Sequence, residues 1–429
     1  MGLLLFAGCA PVFNAQNLFS GEVEEFEVNG LRVLLNSDSA ASSISACLYL
    51  SGGVPEIPSA ISVAAEEAMF DVMVQDGPEQ VNKNYFKKIM QRHDNPIIAK
   101  TTDNYSYIGF RTFQQSFDTL WKYFTASVVH PRFSGSTLEI VKKRISQRLE
   151  IIPEDPALYS RYLSKVVLQA ETPQGRFPTK EGIRQLTVRD LNEYFEYSII
   201  KPRLLLVVSG NITRARLQEY IRTSDLNELM TIDGYIPKAF NGKTPEPVIV
   251  FGQLQRSLPT MYVLGILRGP SSFSQEYYAF RRMVSILQGG MYIYLRLKTG
   301  LSYSPVIDFI DGSPSYCMMS FQATSVREAM LAMHIALSKV KNGIFWSHRV
   351  EKYSQSRVYA LMEQQNTWQR ACELGKAQLM TGSWKNAFAH YGNIKAGMLH
   401  KTAVRYIDNI SWVVIGDTTR LDRSWFSSH

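Results

Sequence analysis

The sequence has few cysteines. Its 429 residues include four, at Cys9, Cys47, Cys317 and Cys372, and no two of them form a C-x-x-C pair. Such sparse and scattered cysteines exclude a disulfide-stapled scaffold, and the missing pair excludes the common zinc-ribbon and dithiol redox motifs. Cys47 and Cys317 stand in apolar, strand-like runs, which predicts that both are packed core thiols.

The sequence also lacks a strong excess of either charge and, beyond its amino terminus, any long apolar run. Lys and Arg number 46 against 38 Asp and Glu, a formal charge of +8 that is spread along the chain. This balance gives no reason to expect nucleic-acid binding. With 45% hydrophobic and 20% charged residues, the composition excludes disordered, collagenous and multi-pass membrane proteins. The length predicts at least two domains.

The amino terminus is typical of an export signal. Residues 1–16 contain no charged residue and open with a leucine-rich run. That run is too short to span a bilayer but suits the apolar region of a signal. Phe6–Cys9 is similar to a bacterial lipobox, so Cys9 is a candidate for lipidation and membrane attachment; cleavage near Ala15 or Gln16, or a buried amino-terminal segment, are the alternatives. We expect an exported protein, either periplasmic or attached to the bacterial envelope.

The two halves of the chain have similar sequence patterns, as an internal repeat would. Three strand-like stretches correspond in order: 46–53 with 262–269, 107–112 with 318–324, and 204–213 with 412–419. In each half strands come in runs and helices come in runs, which favours α+β layers over a doubly wound sheet. A Gly-, Pro- and Asn-rich stretch separates the halves, as a linker would.

We therefore predict two homologous α+β domains, each an antiparallel sheet layered with helices. The predicted divisions are an export-type segment 1–16, an N-terminal domain 17–232, a linker 233–247 and a C-terminal domain 248–429.

The most informative local string is LRLKTGLSYS, at residues 295–304, which follows Gly289-Gly290. It places Arg296 seven residues before Tyr303, across a glycine. Alone, such a pair carries no functional information, because salt-bridged arginines and half-buried tyrosines occur in most chains of this length.

Six further stretches make this string informative when they are considered together with it. In chain order they are VNGLRVLL (28–35), GG (52–53), HPRF (130–133), GRFPT (175–179), LTVRDL (186–191) and SGNI (209–212). With them, nearly the whole mature chain resembles the pitrilysin/insulinase family of zinc peptidases. The resemblance implies two homologous α+β domains that pair with two more to enclose a chamber.

The family's metal motif is absent. Its peptidases carry H-x-x-E-H on a first-half helix, where two histidines four apart hold zinc and the glutamate acts as general base on the metal-bound water. None of the seven histidines lies four residues from another. Aligned on Gly77, which closes the corresponding helix, the ligand positions hold Ala68 and Val72 and the base position holds Asp71.

Other alignments supply no complete ligand set. With Glu66 as the base, the ligand positions hold Val63 and Glu67. The family's third ligand, a glutamate on the helix after HPRF, falls at Arg148, and only a slip of two residues brings Glu150 there. Because a guanidinium group repels Zn²⁺, we predict that this chain binds no zinc.

The resemblance then implies a non-catalytic subunit of a heteromeric peptidase. In two-chain members of the family a zinc-bearing chain and an inactive partner close the chamber together. In these members the second half of the inactive partner supplies an arginine and a tyrosine that meet the substrate. The resemblance therefore implies that Arg296 anchors substrate carbonyls or a carboxylate and that Tyr303 donates a hydrogen bond to the developing oxyanion, both in trans. Peptide substrates bind as an added strand at a sheet edge. The zinc belongs to the partner, which is a homologous zinc-bearing chain in a heterodimer, or a second copy in a homodimer.

Two other functions stay open at this point. A protein of the same fold could bind or scaffold other molecules in the envelope without proteolysis. An active hydrolase with a divergent metal site would depend on Glu66, Glu67 and Asp71, a pattern more typical of a solvated acidic face. His348 and Glu351 are predicted on a solvated helix face.

Overall fold

The computed structural model describes residues 21–94, 96–168, 175–232, 246–254, 259–344, 366–387 and 394–426. The segment with Cys9, most of the predicted linker, and the pair His348 and Glu351 lie outside the described residues. The predicted domain boundaries therefore stay predictions. Within the described part of the chain, no helix is both long and apolar enough to cross a membrane.

The first sheet has six strands. They are Glu22–Val28 (β1), Leu31–Ser37 (β2), Ser43–Ser51 (β3), Ile98–Thr101 (β4), Tyr105–Phe113 (β5) and Leu204–Gly210 (β6). Their spatial order is β1-β2-β6-β3-β5-β4. β1 and β2 form a hairpin whose two loop residues, Asn29 and Gly30, have φ of 50° and 82°. The Asn-Gly sequence suits this turn because both residues tolerate positive φ.

The second sheet repeats that plan with five strands. They are Ile249–Gly252 (β7), Met261–Arg268 (β8), Val306–Ile310 (β9), Tyr316–Ala323 (β10) and Ile410–Ile415 (β11), in the order β7-β11-β8-β10-β9. Each strand occupies the place of one strand of β2–β6, and among the described strands only β1 has no counterpart. The predicted fold class and its internal repeat are confirmed.

The sheets are mixed rather than purely antiparallel. β2 pairs with β6 in parallel, and β7 pairs with β11 in parallel, whereas the other pairs are antiparallel. The prediction of antiparallel sheets is wrong at these two pairs. Parallel neighbours need a long crossover. The chain between β2 and β6, like the chain between β7 and β11, holds three further strands of its sheet and several helices.

Twelve α-helices lie within the described residues. The first eight are Ala65–Asp76 (α1), Lys83–Arg92 (α2), Phe117–Val129 (α3), Gly135–Ile151 (α4), Pro156–Leu168 (α5), Lys180–Gln185 (α6), Val188–Ser198 (α7) and Arg214–Thr223 (α8). The other four are Tyr277–Met291 (α9), Val326–Lys341 (α10), Thr367–Thr381 (α11) and Ala396–Tyr406 (α12). A π-helical turn, Tyr292–Lys298, continues α9.

Each sheet has a helix from the other half on its second face. One face of the first sheet packs against α1, α3, α4 and α7, and one face of the second packs against α9, α10 and α12. α11, from the second half, covers the opposite face of the first sheet, and α5, from the first half, covers the opposite face of the second. Double coverage explains why β6 and β11, which are buried along their whole length, are largely apolar and do not alternate between polar and apolar residues.

The contact between α11 and β3 leaves no room for a side chain at Gly375. A Cβ there would lie 2.3 Å from the ring of Tyr49. We expect Gly375→Ala to lower the free energy of unfolding by about 1–3 kcal/mol, because the ring must move in a packed interface. Gly397→Ala is the matched control, since Gly397 is also helical and no atom lies within 4 Å of its Cβ position. Urea denaturation measures both variants, and equal midpoints would contradict the tight contact.

Candidate functional site

Helix α1 occupies the place of the zinc-binding helix in the predicted fold. The residue after its last turn is Gly77, which has φ of 68° and donates its backbone N–H to the Met73 carbonyl. A side chain at Gly77 would meet the Phe86 ring, with a Cβ at 2.5 Å. The glycine is therefore required both by its backbone angle and by this close approach, which supports its use as the alignment anchor.

Apolar packing fills the two positions that the alignment assigns to ligands. Ala68 and Val72 are fully buried in the core of the first half. A methyl and an isopropyl group offer no lone pair to a metal. The donor set that the fold would need for zinc at these positions is therefore not present.

Two ion pairs join α1 to α4. Arg148 donates two hydrogen bonds to Glu67, from Nη1 to Oε1 at 2.8 Å and from Nη2 to Oε2 at 2.6 Å. Arg144 forms an ion pair with Asp71. Glu67 and Asp71 lie four residues apart on one helix and Arg144 and Arg148 four apart on the other, so the pairs form a ladder between the two helices.

The acidic residues of α1 are not a solvated face, contrary to that interpretation of the sequence. The side chains of Glu67 and Asp71 are 24% and 23% exposed, and both are paired. The hydrogen bonds from Arg148 to Glu67 raise the pKa of the Arg148 guanidinium, so Arg148 stays charged. At the third-ligand position the structure therefore has a cation that is already held by a carboxylate. The slipped candidate, Glu150, is exposed and pairs with Lys180 at 3.5 Å.

Glu66 is buried rather than available to a substrate. It is 0% exposed and accepts hydrogen bonds from the Ser106 and Tyr194 hydroxyls. Burial raises the pKa of Glu66 even though these hydrogen bonds and the charge of Arg203 act to lower it. A carboxyl group enclosed in this way cannot reach a scissile bond, so the alternative alignment has no usable base.

The ladder makes a direct prediction. Arg148→Glu places two carboxylates together, and we expect it to lower the free energy of unfolding by about 1 kcal/mol; Glu67→Arg combined with Arg148→Glu should restore most of that loss. Arg189→Glu is the control, because Arg189 pairs with Glu193 on an exposed helix face, where a reversal costs only a few tenths of a kcal/mol. Chemical denaturation measures the free energy of unfolding of all three variants. A double variant that is no more stable than Arg148→Glu would show that Glu67 and Arg148 are not energetically coupled.

A shallow cavity of about 370 Å³ lies beside the ladder. Its walls are contributed by α1, β4 and α4, and they include the following residues: Asp71, Val74, Gln75, Ile97, Ile98, Ala99, Ile140, Val141 and Arg144. Ile98 and Ile140 are 45% and 63% exposed. β4 forms one edge of the first sheet and pairs with β5 on its inner side. The cavity thus combines exposed apolar side chains with a strand edge.

The structure brings Arg296 and Tyr303 together. Arg296 lies in the π-helical turn, and its guanidinium carbon is 4.3 Å from the centroid of the Tyr303 ring and 5.2 Å from that of Tyr292. Gly300, with φ of 65°, reverses the chain between the two residues. Tyr303 is 80% exposed, so its hydroxyl is open to another molecule while its ring stacks on the cation.

Among the residues that the structure describes, one further group of potential ligands was missed by the sequence analysis. His130, Asp225 and Glu228 present ligand atoms within 4.8 Å of one another, at the end of α3 and in a short 3₁₀ helix. His130 Nε2 lies 2.9 Å from Glu228 Oε2. The two acidic residues stand about one helical turn apart, a spacing that could have been noticed, but nothing in the sequence pairs them with His130.

Solved structures share this fold, among them the following three. The inactive domain of an M16 peptidase from Pseudomonas fluorescens matches with a TM-score of 0.81 and 14% identity, over 93% of this chain and 99% of that one. A protease from Helicobacter pylori matches at 0.79 and 12%, over 93% and 100%. An M16-like peptidase from Alicyclobacillus acidocaldarius matches at 0.72 and 15%, over 92% and 98%. No protein-family model matches the sequence, and no curated protein does.

Proposed function

We propose that this chain, which has the fold of the M16 or pitrilysin/insulinase peptidases, is a zinc-less subunit of a heteromeric peptidase. In this role it encloses peptide substrates and supplies Arg296 and Tyr303 to the zinc site of a homologous partner chain. The observation that carries the proposal is the ion-pair ladder between α1 and α4. It joins the two helices that would provide zinc ligands in an active member of the family.

The residues at those positions do not fit zinc. Ala68 and Val72 have no donor atom, Arg148 is a cation, and Asp71 is held by Arg144. Zinc sites in proteins are built from thiolate, imidazole and carboxylate groups. A metal-bound water therefore belongs to the partner, and no catalytic step is assigned to α1 of this chain.

The cavity beside β4 suits an extended peptide. An added strand would pair its backbone with the outer edge of β4, while exposed Ile98 and Ile140 would contact its side chains. Backbone pairing recognises length and extension more than sequence. We therefore expect the peptide substrates to share an extended conformation rather than a motif.

Arg296 and Tyr303 suit a role in trans. Stacking between Tyr292 and Tyr303 fixes the guanidinium group, and the exposed hydroxyl of Tyr303 leaves a donor free for a partner's substrate. Such a donor aimed at a developing oxyanion strengthens its hydrogen bond in the transition state. Residues 1–16 lead us to place the assembly in the bacterial envelope, with Cys9 as a candidate lipid anchor.

Zinc content tests the proposal first. The purified protein, dialysed extensively, should hold less than about a tenth of an equivalent of zinc by elemental mass spectrometry, because its ligand positions carry no donors. It should cleave an unstructured peptide only when mixed with the zinc-bearing homologue from the same organism. One tightly held zinc per chain, or cleavage by this chain alone, would overturn the proposal and favour an active peptidase with a divergent site.

A further inference from the structure

Two thiols that are distant in the sequence meet between α11 and the first sheet. Cys47 lies in the middle of β3, on the face that α11 covers, and Cys372 lies in α11. Ala371, the residue before Cys372, packs in one hydrophobic cluster with Cys47 and Tyr49, so α11 places the Cys372 side chain beside the Cys47 thiol. Tyr49, two residues from Cys47 on the same strand face, donates its hydroxyl to the carbonyl of Cys372 at 3.3 Å. The sequence prediction that Cys47 is a packed core thiol did not include this neighbour.

The two thiols differ in a way that suits thiol–disulfide exchange. Cys47 is fully buried, whereas Cys372 is partly exposed. Burial raises the pKa of Cys47. The neighbouring Cys47 thiol, followed by Tyr49 and the charge of Lys100, lowers the pKa of Cys372, although partial burial and the charge of Glu373 act to raise it. The accessible thiol is therefore also the one that ionises more readily, as an attacking thiol should.

We propose that Cys47 and Cys372 form a redox-active pair that accepts a low-molecular-weight disulfide and becomes an intramolecular disulfide. In the first step the Cys372 thiolate attacks one sulfur of the small disulfide, forms a mixed disulfide and releases one thiolate. In the second step Cys47 gives up its proton and attacks Cys372 Sγ, which releases the second thiol. The small disulfide is reduced to two thiols and the protein dithiol is oxidised, so atoms and electrons balance.

The bond would tie the two halves together. β3 belongs to the first sheet and α11 to the second half of the chain, so the disulfide would fasten the exchanged helix to the sheet it covers. A cross-link over a loop this long restricts the unfolded chain strongly. We expect the oxidised protein to unfold at a temperature several degrees above that of the reduced protein.

The test is oxidation of the full chain by glutathione disulfide, in a Cys9→Ser background that removes the amino-terminal thiol. Intact mass spectrometry should show loss of two hydrogens, and non-reducing peptide mapping should join Cys47 to Cys372. Cys317→Ala is the matched control, because Cys317 is buried in the second sheet, and the same disulfide should form in it.

The single-cysteine variants separate the two steps. Cys47→Ser should stop at a mixed disulfide between Cys372 and glutathione, and Cys372→Ser should give no adduct at Cys47. A wild-type protein that stops at the mixed disulfide would overturn the proposal, since the thiols would then be too badly placed to bond. A disulfide that leaves the unfolding temperature unchanged would overturn the fastening of α11.

Discussion

Tyr303→Phe is expected to lower kcat of the mixed complex by about 100-fold, the loss typical of one oxyanion donor. The substitution removes only the hydroxyl and keeps the ring that stacks on Arg296 at 4.3 Å. Assembly with the zinc-bearing chain should be unchanged, because the geometry of the cation–π contact survives. Steady-state cleavage of a peptide by the mixed complex measures kcat, and size-exclusion chromatography measures assembly.

Tyr292→Phe is the matched control for this prediction. Tyr292 also stacks on Arg296, at 5.2 Å, and is also exposed. Since the proposal assigns no hydrogen bond to its hydroxyl, the control should retain the wild-type rate. A wild-type rate for Tyr303→Phe as well would remove Tyr303 from catalysis and favour a scaffolding function for the same fold.

Asp76→Asn is expected to lower the free energy of unfolding by about 2–4 kcal/mol at pH 7, as removal of one partner from a buried ion pair does. The Asp76 side chain is 0% exposed and ion-pairs with Lys83 at 2.5 Å. It also accepts hydrogen bonds from the backbone N–H and hydroxyl of Ser134 and from the Thr137 hydroxyl, at 2.9, 2.6 and 2.6 Å. These groups stand at the start of α4, so Asp76 fastens α4 to the end of α1.

The pH dependence of that loss follows from the carboxyl group. Burial alone would raise the pKa of Asp76, but the hydrogen bonds from Lys83, Ser134 and Thr137 together lower it. A lowered pKa in the folded state contributes stability above the unfolded value, near pH 4, and that contribution is lost as the pH falls through the folded value.

Urea denaturation from pH 7 to pH 3 should therefore show the difference between wild type and Asp76→Asn shrinking below about pH 4. Asp94→Asn is the control: Asp94 is exposed and has φ of 56°, which asparagine tolerates. It should change stability little at any pH. A difference for Asp76→Asn that is constant across this range would show that the charge of Asp76 is not what fastens α4.

The ladder between α1 and α4 shows where sequence reasoning stopped. The sequence predicted that the zinc ligands were missing and that Arg148 was a cation where a carboxylate belongs. It could not show that Arg148 is paired with Glu67, or that Arg144 is paired with Asp71. Those pairings depend on how the two helices are rotated about their own axes. Because the helices are far apart in the sequence, a single sequence does not indicate which of their side chains face each other.

The sequence by itself determined the α+β class, the internal repeat and the resemblance to the M16 fold, because strand composition, turn glycines and motif order are local properties. The contact of Arg296 with Tyr303 was also within its reach, since a seven-residue spacing across Gly300 closes a short loop. Only the tertiary structure decided that Glu66 is buried, that α5 and α11 are exchanged between the sheets, and that Cys47 meets Cys372. Each of these features depends on which distant parts of the chain pack against each other. Burial therefore depends on the fold of the whole chain rather than on any one segment.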